Sequence, residues 1–289
     1  MAPAAQALAV EPGQYGAPMR VGDYTVTRLV DGIFNAPVSA LTHPDGAAPV
    51  AAATAGFGEV IPVPVNAFLL EGPGGLSLID CGTGSIWGPN FGHVPAALAA
   101  LHVEPAAISR IFITHLHGDH AYGLVTDGLP RFPNAEVLVP ETELAFYTDP
   151  AAREATPQAR RGGFDVAAKL TATEGLRIQT IAPGSVGPAI TCLPMPGHTP
   201  GHAAYRIGEG EGALLLWGDV LHLEALQPQD PALSLVYDLA LATGQESRRA
   251  ALALAADEGL VVSGGHIDGF RWVSREGEAF RMSPASLTG

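Results

Sequence analysis

The chain has 289 residues and a formal charge of −14, from 15 basic and 29 acidic side chains. Apolar residues make up 47% and charged residues 15%, which argues against disorder. Lys169 is the one lysine, so no basic footprint for nucleic acid or an anionic membrane surface is expected. The sequence holds no run of 18 apolar residues, and membrane insertion is not expected. Cys81 and Cys192 make no disulfide framework and read as small residues at strand ends.

Residues 1–20 read as a loose arm. Ala5-Gln6-Ala7 fits the small-x-small pattern of a trimmed signal peptide. The expected protein is soluble, and either cytoplasmic or, if that remnant is genuine, periplasmic or secreted. From Asp23, Tyr24, Val26 and Val30 alternate with threonines as a strand does. Residues 35–60 are rich in Ala, Pro and Gly and predict a long loop. Val63–Leu70 and Leu76–Asp80 then form a strand pair around Gly72-Pro73-Gly74-Gly75. A short helix is expected over Pro95–Leu101, and Ile111–Thr114 is a buried strand running into a His-rich loop.

Glu136–Val139 reads as a strand and Glu141–Tyr147 as a helix, within a surface insertion or lid over about 141–175. Strands follow at Arg177–Ile181 and Ile190–Leu193. A second strand pair, Ala203–Ile207 and Ala213–Trp217, echoes the first: strand, Gly-rich turn, apolar strand, then an aspartate, Asp80 or Asp219. Thr243-x-x-Glu246 fits a capping box opening a helix through Ala256. Leu260–Ser263 is a strand, and Phe270–Arg281 a hairpin turning near Glu276-Gly277. Mixed strands and helices without a low-complexity linker predict one layered α/β domain over 21–289.

The chemistry concentrates in His115-Leu116-His117-Gly118-Asp119-His120. His115 and His117 are two apart, so an extended backbone points both to one side. Gly118 lets Asp119 and His120 turn back toward the same space. Imidazole and carboxylate are donors that Zn²⁺ accepts. Gly197-His198, Gly218-Asp219 and Gly265-His266 each follow a predicted strand, and bring the inventory to five His and two Asp, enough for two metals. His115, His117 and His198 would hold one ion; Asp119, His120 and His266 the other; Asp219 and a hydroxide would bridge them.

These segments resemble the metallo-β-lactamase superfamily. The resemblance also takes in Leu78-Ile79-Asp80-Cys81-Gly82, and runs from about residue 20 to 282. It implies an αββα sandwich with the metals at the edge of two sheets, and Asp80 orienting the metal loop from behind the ligands. Within the superfamily, the stretches 80–92, 197–203 and 218–231 look most like the methyl parathion hydrolase and lactonase branch. His222 stands where acyl homoserine lactonases often carry Tyr. The bridging Asp219 disfavours β-lactam hydrolysis.

The expected enzyme is a dinuclear-metal hydrolase. Two divalent ions, Zn²⁺ first and Mn, Fe or Co as alternatives, would supply a bridging hydroxide that opens lactones or cleaves aryl esters, with phosphotriesters as a further substrate. Asp119 would carry the hydroxide's proton. Trp87, Phe91, Tyr147, Phe164 and His222 are candidate pocket walls, and His202 a buried support behind the ligands. The partner is a small hydrophobic ester, lactone or phosphotriester, and a homodimer is left open. One alternative is a hydroxyacylglutathione-type thioesterase, using Arg153, Arg160 and Arg161; another is a mononuclear iron dioxygenase.

Overall fold

The computed structural model describes residues 10–285. Fourteen strands form two seven-stranded sheets, each ordered exactly as the chain runs. In the first, β1 (Met19–Val21), β2 (Tyr24–Pro37), β3 (Val60–Gly72) and β4 (Gly75–Ile79) pair antiparallel. Strands β5 (Ile108–Phe112), β6 (Glu136–Pro140) and β7 (Arg177–Ile181) then add in parallel. The second holds β8 (Gly184–Gly187), β9 (Ile190–Pro194), β10 (Ala203–Ile207), β11 (Leu214–Leu216), β12 (Val261–Ser263), β13 (Arg271–Glu276) and β14 (Ala279–Pro284). Its one parallel pairing joins β11 to β12.

Three packed interfaces make four layers. Val26, Phe68, Ile79 and Phe112 of the first sheet meet Tyr205, Leu214, Leu216 and Val261 of the second. The other face of the first sheet, with Leu69, Leu78, Ile111 and Val137, packs under α2 (Val94–Ala100), α4 (Glu141–Thr148) and α6 (Gly162–Ala172). The outer face of the second, with Ala204, Leu215 and Val262, is covered by Ala251, Leu252 and Ala255 of α7 (Leu241–Glu258). Each fully buried Leu or Val stabilises this αββα sandwich by roughly 1.5–3 kcal/mol.

Several expectations change. The arm is tied down from Gly13, whose N–H donates to Val30, and Tyr15 bridges to Leu29; the signal-like Ala5-Gln6-Ala7 lies outside the described residues. Residues 35–60 are no long loop: β2 continues to Pro37, α1 (Ala47–Thr54) follows, and Ala36, Leu41 and Ile61 pack on Leu223, Leu226 and Leu233. The 141–175 stretch is not only a surface lid, because Tyr147 of α4 and Phe164, Val166, Ala167 and Leu170 of α6 enter the core. Between α4 and α6 lies α5 (Pro150–Ala155), capped by Asp149 through Ala151. Thr243 caps nothing: α7 begins at Leu241, which places Thr243 inside its first turn.

Two features of the first sheet position the site. A bulge between Val30 and Gly32 turns out Asp31, whose carboxylate accepts from Thr83, Gly92 and Val94 and so fixes the loop carrying Trp87. Strand β3 also outruns β4, which pairs it only from Phe68 onward. The overhang tolerates Pro62 and Pro64, and leaves backbone groups free for the second half of the chain.

Candidate metal centre

The short turn after β5 and the helix it opens, α3 (Gly118–Ala121), present four of the expected donors. Nε2 of His115 lies 3.1 Å from Nδ1 of His117, and that atom lies 2.9 Å from Nε2 of His198. This is the first donor group. The second gathers Asp119, His120, Asp219 and His266. Oδ2 of Asp119 is 3.6 Å from Nε2 of His120 and 3.5 Å from Nε2 of His266. Asp219 stands between the groups. Its Oδ1 is 3.3 Å from His120, and its Oδ2 is 3.2 Å from His266, 3.4 Å from His198 and 3.8 Å from His115. All seven expected ligands are thus brought together. His222 joins a third grouping with His198 and Asp219, its Nε2 3.2 Å from Oδ2 of Asp219 and its ring stacked on His266.

The ligands are aimed from behind. Asp80, at φ +56°, accepts from the Thr114 N–H at 2.9 Å and the Thr114 hydroxyl at 2.8 Å. Its Oδ2 also lies 2.8 Å from Nδ1 of His120, which directs Nε2 of that ring into the centre. His202 accepts the Asp219 N–H at Nε2, 3.0 Å away. Nδ1 of His266 reaches the Pro64 carbonyl at 2.9 Å, using the β3 overhang, while Asn66 donates to Gly264 and Ile267 around it. Gly265 admits this approach: a Cβ there would lie 2.4 Å from Oδ1 of Asp219.

Three supporting residues were not anticipated. Asp238 takes Nδ1 of His198 at 2.8 Å and is itself held by Arg248 at 3.2 Å. Buried Glu143 accepts from the Leu116 N–H, the Thr199 hydroxyl and the Gly201 N–H, tying the first metal loop to the His198 turn.

Electrostatics divide the centre. Burial and neighbouring imidazoles hold His115 and His117 well below the ordinary histidine range, so both are neutral with lone pairs to give. Burial pushes His202 down to about 3. For His120 burial acts the same way, but Asp219, Asp119 and Asp80 outweigh it and raise its pKa well above the usual value. Asp219 and Asp119 likewise raise His266 against its burial. Burial would lift Asp219, yet His120, His266 and His222 hold it well below the carboxylate range. Asp238, buried against His198 and Arg248, is lowered to about 2. The carboxylates of the second group thus favour positive charge on the imidazoles beside them, an attraction that a cation there would share.

Nε2 of His120 and Oδ1 of Asp219 are buried without a hydrogen bond among the described residues. Donor atoms within each group lie within 4.8 Å of one another. Nitrogen and carboxylate donors so placed, with buried lone pairs unspent, fit divalent cations.

The centre floors a cavity of about 720 Å³. Trp87 and His222 line it, with Phe34, Val63, Val236 and Tyr237. Three expected walls do not. Phe91 packs edge-on against Trp87. Phe164 packs tilted against Phe146 and edge-on against Tyr147 in the core. Tyr147 is 2% exposed and turns its hydroxyl to Nε2 of His117, 3.3 Å away. Aromatic character alone did not tell which side of a layer each ring faces.

A family model described as the metallo-β-lactamase superfamily matches residues 60–266. Among curated relatives, the uncharacterized protein YobT of Bacillus subtilis is 28% identical over 162 residues, 55% of this chain and 63% of YobT. A ribonuclease Z of Methanothermobacter thermautotrophicus is 40% identical over 52 residues, 18% of this chain and 14% of that protein. The chain thus spans less than two thirds of the length of either. Among solved structures, the hydrolase AbOPH of the β-lactamase superfamily superposes with TM-score 0.86 at 25% identity, over 97% of this chain and 99% of that one. AidC, a dizinc quorum-quenching lactonase, gives TM-score 0.84 at 21% identity over 96% and 99%, a likeness of fold.

Proposed function

The chain belongs to the metallo-β-lactamase superfamily, and on that premise we propose that it is a dinuclear-metal hydrolase of lactones and aryl esters, with phosphotriesters as a further class. The observation that carries the proposal is that Asp219 lies within 3.8 Å of nitrogen donors from both groups at the floor of an apolar cavity. His115, His117 and His198 would hold one cation, Asp119, His120 and His266 the other, and Asp219 would reach both. Such a pair, Zn²⁺ first among the candidates, supplies a Lewis acid for a carbonyl or phosphoryl oxygen and lowers the pKa of water at the site.

The chain's own groups do the rest. Asp119 faces the cavity with Oδ2 near two imidazoles, and is the carboxylate placed to take a proton from an attacking water and return it to the leaving group. His222 faces the same space and is a second donor for an alkoxide leaving group. Phe34, Val63 and Trp87 exclude water and orient an apolar acyl or aryl part.

The alternatives are less well supported. A glutathione thioester needs cations for two carboxylates, but of the three arginines Arg160 alone lines the cavity, while Arg153 pairs with Asp165 and Arg161 is spent on the Thr156 and Glu154 carbonyls. A mononuclear iron dioxygenase leaves the second donor group without a role. Nucleic acid finds a net charge of −14.

The test is an activity panel on metal-quantified protein: a γ-lactone, an aryl ester, a phosphotriester and a glutathione thioester. Turnover of the lactone and aryl ester should scale with loading up to two ions per chain. Fully loaded protein that is inactive on the first three substrates would defeat the proposal.

A further inference from the structure

We infer that Arg160 binds an acidic group of the substrate, so that the esters or lactones opened here carry a carboxylate besides the scissile bond. The inference rests on the hydrolase reading and deepens it by naming a substrate class.

Arg160 is the one arginine or lysine among the described residues lining the cavity. Its neighbours there, Ala159 and Gly162, are small, so the guanidinium is what this segment offers to the space. The two other arginines nearby are engaged elsewhere: Arg153 with Asp165, and Arg161 with backbone carbonyls. Arg160 differs from both. Its NH1 donates to the Asp238 carbonyl at 3.3 Å, which anchors it on the His198 wall. Among the described residues its side chain makes no further hydrogen bond and no ion pair, although a guanidinium has five N–H donors to place.

The surroundings make this cation informative. The chain carries 29 acidic residues against 15 basic ones, yet none is set against Arg160. The two carboxylates that reach the cavity, Asp119 and Asp219, are committed to imidazoles. The nearby wall is apolar, with Val236 and Leu239. Arg160 is half-buried, so water reaches its free N–H groups, and an entering carboxylate would replace that water with a charge-assisted pair beside the apolar wall. The counter-ion the geometry lacks is therefore supplied by what enters: a planar carboxylate, matched to the planar fork of the guanidinium. The scissile carbonyl would lie at the metal centre and the carboxylate at Arg160, giving two-point recognition.

A matched pair of substrates reads this directly: 4-nitrophenyl hydrogen adipate and 4-nitrophenyl hexanoate, equal in reach and differing in the terminal carboxylate. Wild-type, two-metal protein should favour the adipate ester by about ten- to a hundredfold in kcat/KM, chiefly through KM. Arg160→Gln should erase the preference, and Arg160→Lys should keep part of it. Equal kcat/KM on the two esters in the wild type, or a preference that survives Arg160→Gln, would overturn the inference. Calorimetry of adipic acid monoamide with metal-free protein separates this from the parent reading. Saturable binding that weakens at least about tenfold in Arg160→Gln supports the carboxylate site even where neither ester is cleaved, which would count against the hydrolase reading alone. Absence of binding to the wild type overturns the site.

Discussion

In each half of the molecule an antiparallel hairpin leads to an aspartate, and a third strand joins the hairpin in parallel. The first half does this with β3, β4, Asp80 and β5; the second with β10, β11, Asp219 and β12. The two aspartates then diverge. Asp80 spends its oxygens on the Thr114 N–H, the Thr114 hydroxyl and Nδ1 of His120. Asp219 keeps Oδ1 without a hydrogen bond, surrounded by imidazoles and facing the cavity. A buried carboxylate whose lone pairs are all taken by donors is an orienting device. One with a lone pair unspent among imidazoles at the cavity floor is a candidate ligand. Topology places both residues at the strand ends, and the hydrogen-bond partners decide the role.

The contrast breaks most sharply at Asp219. Asp219→Ala removes the one group that reaches both donor sets. Bound metal should fall from two ions per chain to one or fewer by elemental analysis, and kcat/KM on an aryl ester should drop about a thousandfold or more. Two ions retained at wild-type affinity would remove the distinction between the aspartates.

Asp80→Asn is the matched test, because asparagine tolerates the left-handed backbone at φ +56° while placing an N–H against donors. Chelator competition should show metal affinity weaker by about ten- to a hundredfold, mainly for the ion at His120, with two ions still bound at saturation. A stoichiometric loss equal to that of Asp219→Ala would mean that Asp80 is not merely an orienting group.

What the sequence made legible follows the same division. Donors in short runs beside glycine, such as His115 through His120, could be read because chain spacing itself brings them together. A layered α/β domain was readable from strand spacing and the repeated strand pairs, and the αββα order from the family resemblance. The partners that aim those donors could not be found so directly. Asp238 lies 40 residues from the His198 ring it holds, in a segment with no motif. Glu143 sits in the first turn of α4, where an acid usually reads as solvent-exposed and dipole-favoured. Its burial follows from Gly201, where a Cβ would lie 2.1 Å from the Glu143 nitrogen. Val236 and Tyr237 line the cavity from the stretch between Pro231 and Thr243, in which no element or motif was readable from sequence.

Glu143 also provides the finest test, because it is where the two halves are joined. Its carboxyl receives Leu116 from the first metal loop, and Thr199 and Gly201 from the second half. Burial raises its pKa from 4.5 to about 7, against the pull of those three donors. A carboxyl whose folded pKa is raised holds its proton more tightly in the native state. Its contribution to stability is therefore complete below pH 4.5 and is lost as pH rises through 7. The loss is on the order of 3 kcal/mol at most. Glu143→Gln resembles the protonated acid at every pH. In metal-free protein the difference in unfolding free energy between variant and wild type should shift in the variant's favour across that window, read from urea denaturation at pH 5 and pH 8. Metal loading should shrink the shift, since nearby positive charge favours the carboxylate. A difference independent of pH in the metal-free chain would mean that the carboxyl is ionised throughout, held by its three donors rather than ruled by burial.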